Sequence, residues 1–268
     1  MIEIRHKDSG ELLLKVDGDS LVKACLANKQ LAGANFYEMN LYAVDFRRAN
    51  LERAVLAAVT QDKGWGKWLI QSLFSAGLDD YENFVNFSNC NLANADLSRA
   101  DLRRARFLQA NLAGANLHSA KLLGAEFGAA DLTNAVLCDT EMSYYSQYDS
   151  TTDFGSANMT KCNLNKARAR HARFTEAVLV GANLAESDCF FAKFIRADLR
   201  DAIMTRANLE RADFTCANLR GVDLSQANLS RADMSGADLS DAFLKGSKTS
   251  EIRFDRKTKW PDGFSPGQ

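Results

Sequence analysis

Three histidines, six cysteines and a long array of Asp and Asn side chains are the groups in this 268-residue chain that could do chemistry. His6, His118 and His171 lie far apart, share no metal-ligand spacing, and no HExxH motif is present. Cys25, Cys90, Cys138, Cys162, Cys189 and Cys216 form no CxxC pair. Several stand where an Ala or Leu is expected, so they read as small buried thiols rather than ligands or disulfides. There is no GxxxxGK(S/T) phosphate loop and no GxSxG elbow, and the GWG at 64–66 lacks the context of a phosphate loop. The acidic array is more tempting. Asp96, Asp101, Asn111, Asn116 and Asp131 recur at intervals of five or its multiples, and Asp198 keeps the same place in its unit, just before a large apolar residue. A carboxylate array could hold cations. The fixed place in the unit points instead to short Asx side chains that cap the backbone at a corner. No catalytic constellation, metal site or cofactor site emerges, and the chain does not read as an enzyme.

What positions these residues is a period of five. From Ala212 the chain runs ADFTC ANLRG VDLSQ ANLSR ADMSG ADLSD AFL. A large apolar residue centres each unit, and a small one stands two positions before it. Neither a helix nor a flat strand has this period. It needs a chain that turns a corner once per unit and points one large and one small side chain inward. Counted along the chain there are 38 units; Leu, Phe or Met fills the centre in 36, and Ala fills the small position in 28. Repetition on this scale means one elongated solenoid stabilised by neighbouring coils.

These units resemble the pentapeptide repeat family, whose motif is A-(D/N)-L-X-X. The resemblance implies an all-β fold, a right-handed quadrilateral parallel β-helix with four units per coil. With about nine or ten coils at about 4.8 Å each, the tower would stand about 45 Å tall.

Net charge is -1, so no global field draws the chain to nucleic acid or an anionic membrane, and no nucleic-acid partner is expected. Two prolines suit a ladder in which most N–H groups donate. No signal peptide precedes MIEIRHKDSG, and no apolar run could span a bilayer, so a reducing, cytoplasmic setting is the expectation.

In order, residues 1–20 predict a hairpin cap, with Ile2 and Ile4, then Leu12, Leu14 and Val16, alternating around a turn at 7–10. Residues 21–56 form the first repeat block, expected to be distorted where Lys29 and Met39 replace Ala. Residues 57–86 break the register by about 26 residues beyond one unit, and hold a short amphipathic helix over 65–76. The helix either packs on the tower wall or binds a partner through Trp65, Trp68 and Phe74. The second block spans 87–142. Residues 143–153 break the register again, by two residues. Tyr144, Tyr145 and Tyr148 there either contact a protein or cover an irregular corner. The third block spans 154–245, and 246–268 form a C-terminal cap whose Trp-Pro and Gly-Phe resemble tails of bacterial members of the family.

Within the third block Ala169 and Cys189 are undersized centres four units apart, with Phe190 or Phe191 expected to turn inward to compensate. The run ARARHAR places Arg168, Arg170 and Arg173 together, either as part of a solvated face or as a basic patch for an acidic partner. The functional expectation is a non-enzymatic scaffold for an unidentified protein partner, monomeric or dimeric. The resemblance also implies an alternative, protection of a type II topoisomerase (gyrase) by DNA mimicry. Relatives that do this carry strongly acidic surfaces, unlike this near-neutral, arginine-rich chain.

Overall fold

In the computed structural model, residues 1–37, 39–41, 43–57, 84–143 and 151–266 are described. Each five-residue unit owes its corner to one β-turn. The carbonyl of the central residue accepts from the N–H three residues on, as Leu112 does from Ala115 at 2.9 Å. The second turn residue takes positive φ, for instance Arg99 (φ 57) and Arg211 (φ 58), which is the type II signature. The Asx residue ahead of the centre braces the turn: Asp96 Oδ1 accepts from the Ser98 N–H at 3.0 Å, and Asn116 Oδ1 from the His118 N–H at 3.1 Å. The acidic array therefore braces the backbone at the turns.

Coils close every 20 residues through parallel bridges such as Asn86↔Arg106, Asn91↔Asn111, Asp96↔Asn116 and Asp101↔Lys121. Four units thus complete one turn of the solenoid. Each bridge is made twice: the Leu97 N–H donates to the Asn116 carbonyl at 2.7 Å, and the Asn116 N–H to the Ala95 carbonyl at 2.9 Å.

Closure corrects the size of both register breaks. Asp45 bridges Asn86 and Val55 bridges Asp96, an offset of 41, so this coil carries 21 extra residues and not about 26. The coil needs a fourth side between Leu56 and Phe87, and that side uses up one more unit. Glu126 bridges Asp153 and Glu141 bridges Arg168, an offset of 27, so seven residues are extra and not two. Here Phe154 stacks directly on Phe127, so only one unit step separates Met142 from Phe154. The helix expected over 65–76 lies outside the described residues. Among the described residues no helix is long and apolar enough to cross a membrane.

The core is a set of columns. Phe46, Phe87, Phe107, Phe127, Phe154 and Phe174 lie in one, continued by Phe194 and Phe214, with ring centroids 4.6–5.1 Å apart and planes within 12° of parallel. The ladder spacing sets the ring spacing. Where the small position holds a hydroxyl, it returns to a carbonyl: Thr140 Oγ1 to Leu137 at 2.8 Å, Ser187 Oγ to Leu184 at 2.7 Å. Buried polar groups are thereby satisfied. In the first block the turns persist; Lys29 points outward, exposed, and Met39 is half-buried against the core.

Strands β1 (Ile2–Arg5) and β2 (Leu12–Val16) form an antiparallel hairpin with a bulge between Ile4 and Arg5. Ile4 is fully buried, and the Asn35 N–H donates to the Arg5 carbonyl at 2.9 Å, so β1 lies along the edge of the first coil. At the other end Ile252, Trp260 and Phe264 pack on the core. Asp255 accepts from the Gly236 N–H at 3.0 Å, and Thr258 donates to the Met234 carbonyl at 2.9 Å. Side chains of the tail thus take over bonds that another coil would make.

Candidate functional site

Among the described residues the thiols of the inward columns are held protonated by burial. Burial pushes the Cys90 and Cys189 thiols up to about 12, and raises Cys162 further. These thiols are not nucleophiles near neutral pH. His6 packs by Gly33 at the hairpin, His118 faces Asp139 at 3.8 Å, and His171 lies on another coil. Among the described residues no group of His, Cys, Asp and Glu could hold a metal ion. On the outer face two turn residues per unit point to solvent.

One corner gathers several arginine–aromatic contacts. The 20-residue closure stacks its turn residues coil upon coil: Phe84 under Arg104; then, after the 27-residue coil, Arg170 and His171 under Phe190 and Phe191, under Glu210 and Arg211. Arg104 lies over the Phe84 ring at 5.5 Å, Arg170 over Phe190 at 4.5 Å, and Arg211 over Phe191 at 5.3 Å. His171 stacks on Phe191 at 5.4 Å, and Phe190 meets Phe191 edge to face at 4.8 Å. Burial, then the Arg170 charge, lowers the His171 pKa, so the stacked imidazole is neutral at pH 7.

This corrects the expectation that Phe190 or Phe191 turns inward. Phe191 is 38% exposed and Phe190 is half-buried on the outside. Both are turn residues, and the inward path belongs to Cys189 and Ala192, each fully buried. Ala169 is likewise buried.

The three predicted arginines do not form one patch. Arg168 lies on the flat side and faces Glu141 at 3.8 Å; Arg173, on the next side, pairs with Asp153; Arg170, on the corner between them, reaches Asp188 at 3.3 Å. Only Arg170 joins the aromatic cluster. Trp65, Trp68, Phe74, Tyr144, Tyr145 and Tyr148 lie outside the described residues.

Both length irregularities rejoin the tower at this same corner. Phe84, the first described residue after the longer one, is a turn residue here. Ser143 and Thr151, flanking the shorter one, sit in the coil that receives Arg170 and His171: Ser143 Oγ donates to the Arg168 carbonyl at 3.3 Å, and the Arg173 N–H to the Thr152 carbonyl at 3.0 Å. Sequence inspection missed Phe84, Arg104, Phe190, Phe191 and Arg211 as a group. Their signal appears only when the chain is written in rows of 20.

Comparison with known proteins places these features in context. A family model described as pentapeptide repeats matches in 8 copies, over 21–56, 83–118, 110–143, 152–188, 192–231 and 212–248. Among curated proteins none matches the sequence. The chain is similar to the crystal structure of HetL, a pentapeptide repeat protein involved in heterocyst differentiation regulation from the cyanobacterium Nostoc sp. strain PCC 7120. Identity is 26%, over 86% of this chain and 90% of that one, with a TM-score of 0.45. Rfr23 from the cyanobacterium Cyanothece 51142 is 29% identical over 41% of this chain and 65% of its own, with a TM-score of 0.21. QnrB1, a plasmid-mediated fluoroquinolone resistance protein, is 14% identical over 83% of this chain and 87% of its own, with a TM-score of 0.38.

Proposed function

The chain belongs to the pentapeptide repeat family, and from that premise we propose that it is a non-enzymatic scaffold that holds a protein partner against one corner of its tower. The observation that carries this reading is the coincidence on one corner of three arginine–aromatic contacts and both length irregularities. A repeat tower presents rigid, regular faces, and departures from regularity are where specificity can be written. Aromatic and arginine side chains are enriched at protein contacts. The scattered histidines and high-pKa thiols are consistent with a role that needs no covalent chemistry. The reading includes a right-handed, four-sided tower closed by the hairpin at one end and the 246–268 tail at the other, supported by the 20-residue bridge spacing. It keeps the 57–86 segment, with Trp65, Trp68 and Phe74, and the tyrosines 144, 145 and 148 as further contact elements. Gyrase protection by DNA mimicry asks for an acidic surface, and the turn residues of this corner carry the opposite sign.

The test compares capture from source-cell lysate by three forms: wild type, a form with 57–86 replaced by a short linker, and Phe191→Asn/Arg211→Gln. A protein retained by wild type and lost from either altered form supports the scaffold reading. Identical capture by all three overturns the corner as the contact surface.

A further inference from the structure

We infer that the partner segment received by this corner is an acidic, aromatic-containing stretch of protein, gripped by arginines that the aromatic rings hold in place. The inference rests on the scaffold reading above and adds the chemistry of what is bound.

Charge comes first. Among described turn residues at this corner the cations are Lys23, Arg103, Arg104, Arg170, Arg211 and Arg231, six in all, against the carboxylates of Glu210 and Glu251. The corner after the phenylalanine column has five cations among its described turn residues, Arg47, Arg48, Arg196, Arg256 and Lys257, against the carboxylate of Glu176, and each of the other two corners has four cations against at least two carboxylates. The aromatic corner thus has the most cations among the described turn residues, with a net excess equal to that of the phenylalanine-column corner, on a chain whose formal charge is only -1.

Geometry comes second. A guanidinium laid on a ring loses much of its rotational freedom before any ligand arrives, and its N–H edge faces outward as a fork for carboxylates. Arg170 and Arg211 are held this way, one on Phe190 and one on Phe191. Arg170 already shares its fork with Asp188 at 3.3 Å, while Arg211 has the Phe191 ring and no ion pair among the described residues. They stand two coils apart, about 10 Å along the tower. An extended peptide places side chains of one face about 7 Å apart and every second one about 13 Å, so two acidic residues can straddle the phenylalanine pair. The Phe190–Phe191 edges between them suit an apolar or aromatic side chain.

Exposure comes third. Phe191 holds φ 56, a region that bulky residues rarely enter, and stays 38% exposed. The positive φ is shared with the second turn residue of other units and belongs to the fold, whereas the exposed ring does not serve the core. Exposed aromatic surface is expected where a contact is made.

A nucleic-acid strand fits less well. Asp188, Glu210 and Glu251 interrupt the column and would repel a continuous phosphate backbone, whereas discrete carboxylates can avoid them.

The experiment measures binding of three labelled probes to the full chain by fluorescence anisotropy: a Glu-Tyr copolymer, a Glu homopolymer and a single-stranded DNA 25-mer. The variants are Arg170→Gln/Arg211→Gln and Phe190→Ser/Phe191→Asn, each checked for an unchanged fold by circular dichroism. The expected result is that the copolymer binds wild type more tightly than either other probe, that salt weakens it, and that each variant loses about tenfold or more. DNA binding as tight as the copolymer, no copolymer binding, or equal binding by wild type and variants would each overturn the inference. A lysate partner that depends on Phe191 and Arg211 but presents a basic or neutral surface would overturn it too, while leaving the scaffold reading standing.

Discussion

Phe191 lies flat on His171, with ring centroids 5.4 Å apart and planes 8° from parallel, although the Phe191 backbone is in the left-handed region at φ 56. Two opposing terms meet in this residue. Left-handed backbone costs about 1–2 kcal/mol for a non-glycine residue. The ring contacts return about 0.5–1.5 kcal/mol. Phe191→Asn therefore leaves stability within about 1 kcal/mol of wild type, because Asn tolerates this backbone. Urea unfolding followed by circular dichroism checks this. A loss of several kcal/mol would mean that the corner serves the fold and not a partner.

The buried phenylalanine column behaves differently. Phe127 is fully buried between Phe107 and Phe154, at 4.6 and 4.8 Å. Phe127→Ala leaves a cavity that rigid neighbouring coils cannot close, with an expected loss of about 3–5 kcal/mol. The same unfolding measurement applied to Phe127→Leu should show a clearly smaller loss.

Gly33 is where the hairpin meets the tower. It holds φ 68, and a Cβ there would come within 2.2 Å of His6 Nε2. Gly33→Ala should cost more than the about 1–2 kcal/mol of the left-handed backbone alone. Adding His6→Ala removes the ring and should recover part of the loss. Absence of any recovery in this double-mutant cycle would show that the clash is relieved in some other way.

The C-terminal coil should loosen in acid. Burial works to raise the Asp238 pKa, but hydrogen bonds from Ser240 and Lys259, the latter at 2.9 Å, hold it down at about 2. A carboxylate whose folded pKa is depressed stabilises the fold above its unfolded pKa of about 4, and that stability is lost as pH falls toward 2. Asp238→Asn removes this term. Between about pH 4 and 2 its melting temperature should therefore fall less steeply than that of wild type. Parallel curves for the two proteins would remove Asp238 as a contributor.

The fold was legible because each unit repeats one physical instruction: a large residue in, a small residue in, and an Asx residue at the turn. That instruction is local, so Leu97, Ala95 and Asp96 declare it without reference to other coils. The size of the register breaks was not legible in this way. It depends on which residue lands on which, and the pairing of Glu126 with Asp153 emerges only from closure of the coil. The corner cluster was hidden for the same reason. Arg168, Arg170 and Arg173 look like one group along the chain, yet they lie on two sides and a corner. Phe190 and Phe191 looked like core because they are apolar. Their place in the unit, directly after the centre Cys189, had already assigned them to the outside.

The unequal coils give the molecule a mechanical signature. Every coil is bonded only to its neighbours, so a chain pulled by its ends can peel away one coil at a time. A regular coil of 20 residues releases about 70 Å of slack when drawn out. The 41-residue coil would release about 140 Å and the 27-residue coil about 95 Å. A force–extension trace would then contain two odd steps in an otherwise even staircase. Their place in it would report from which end the tower unravels.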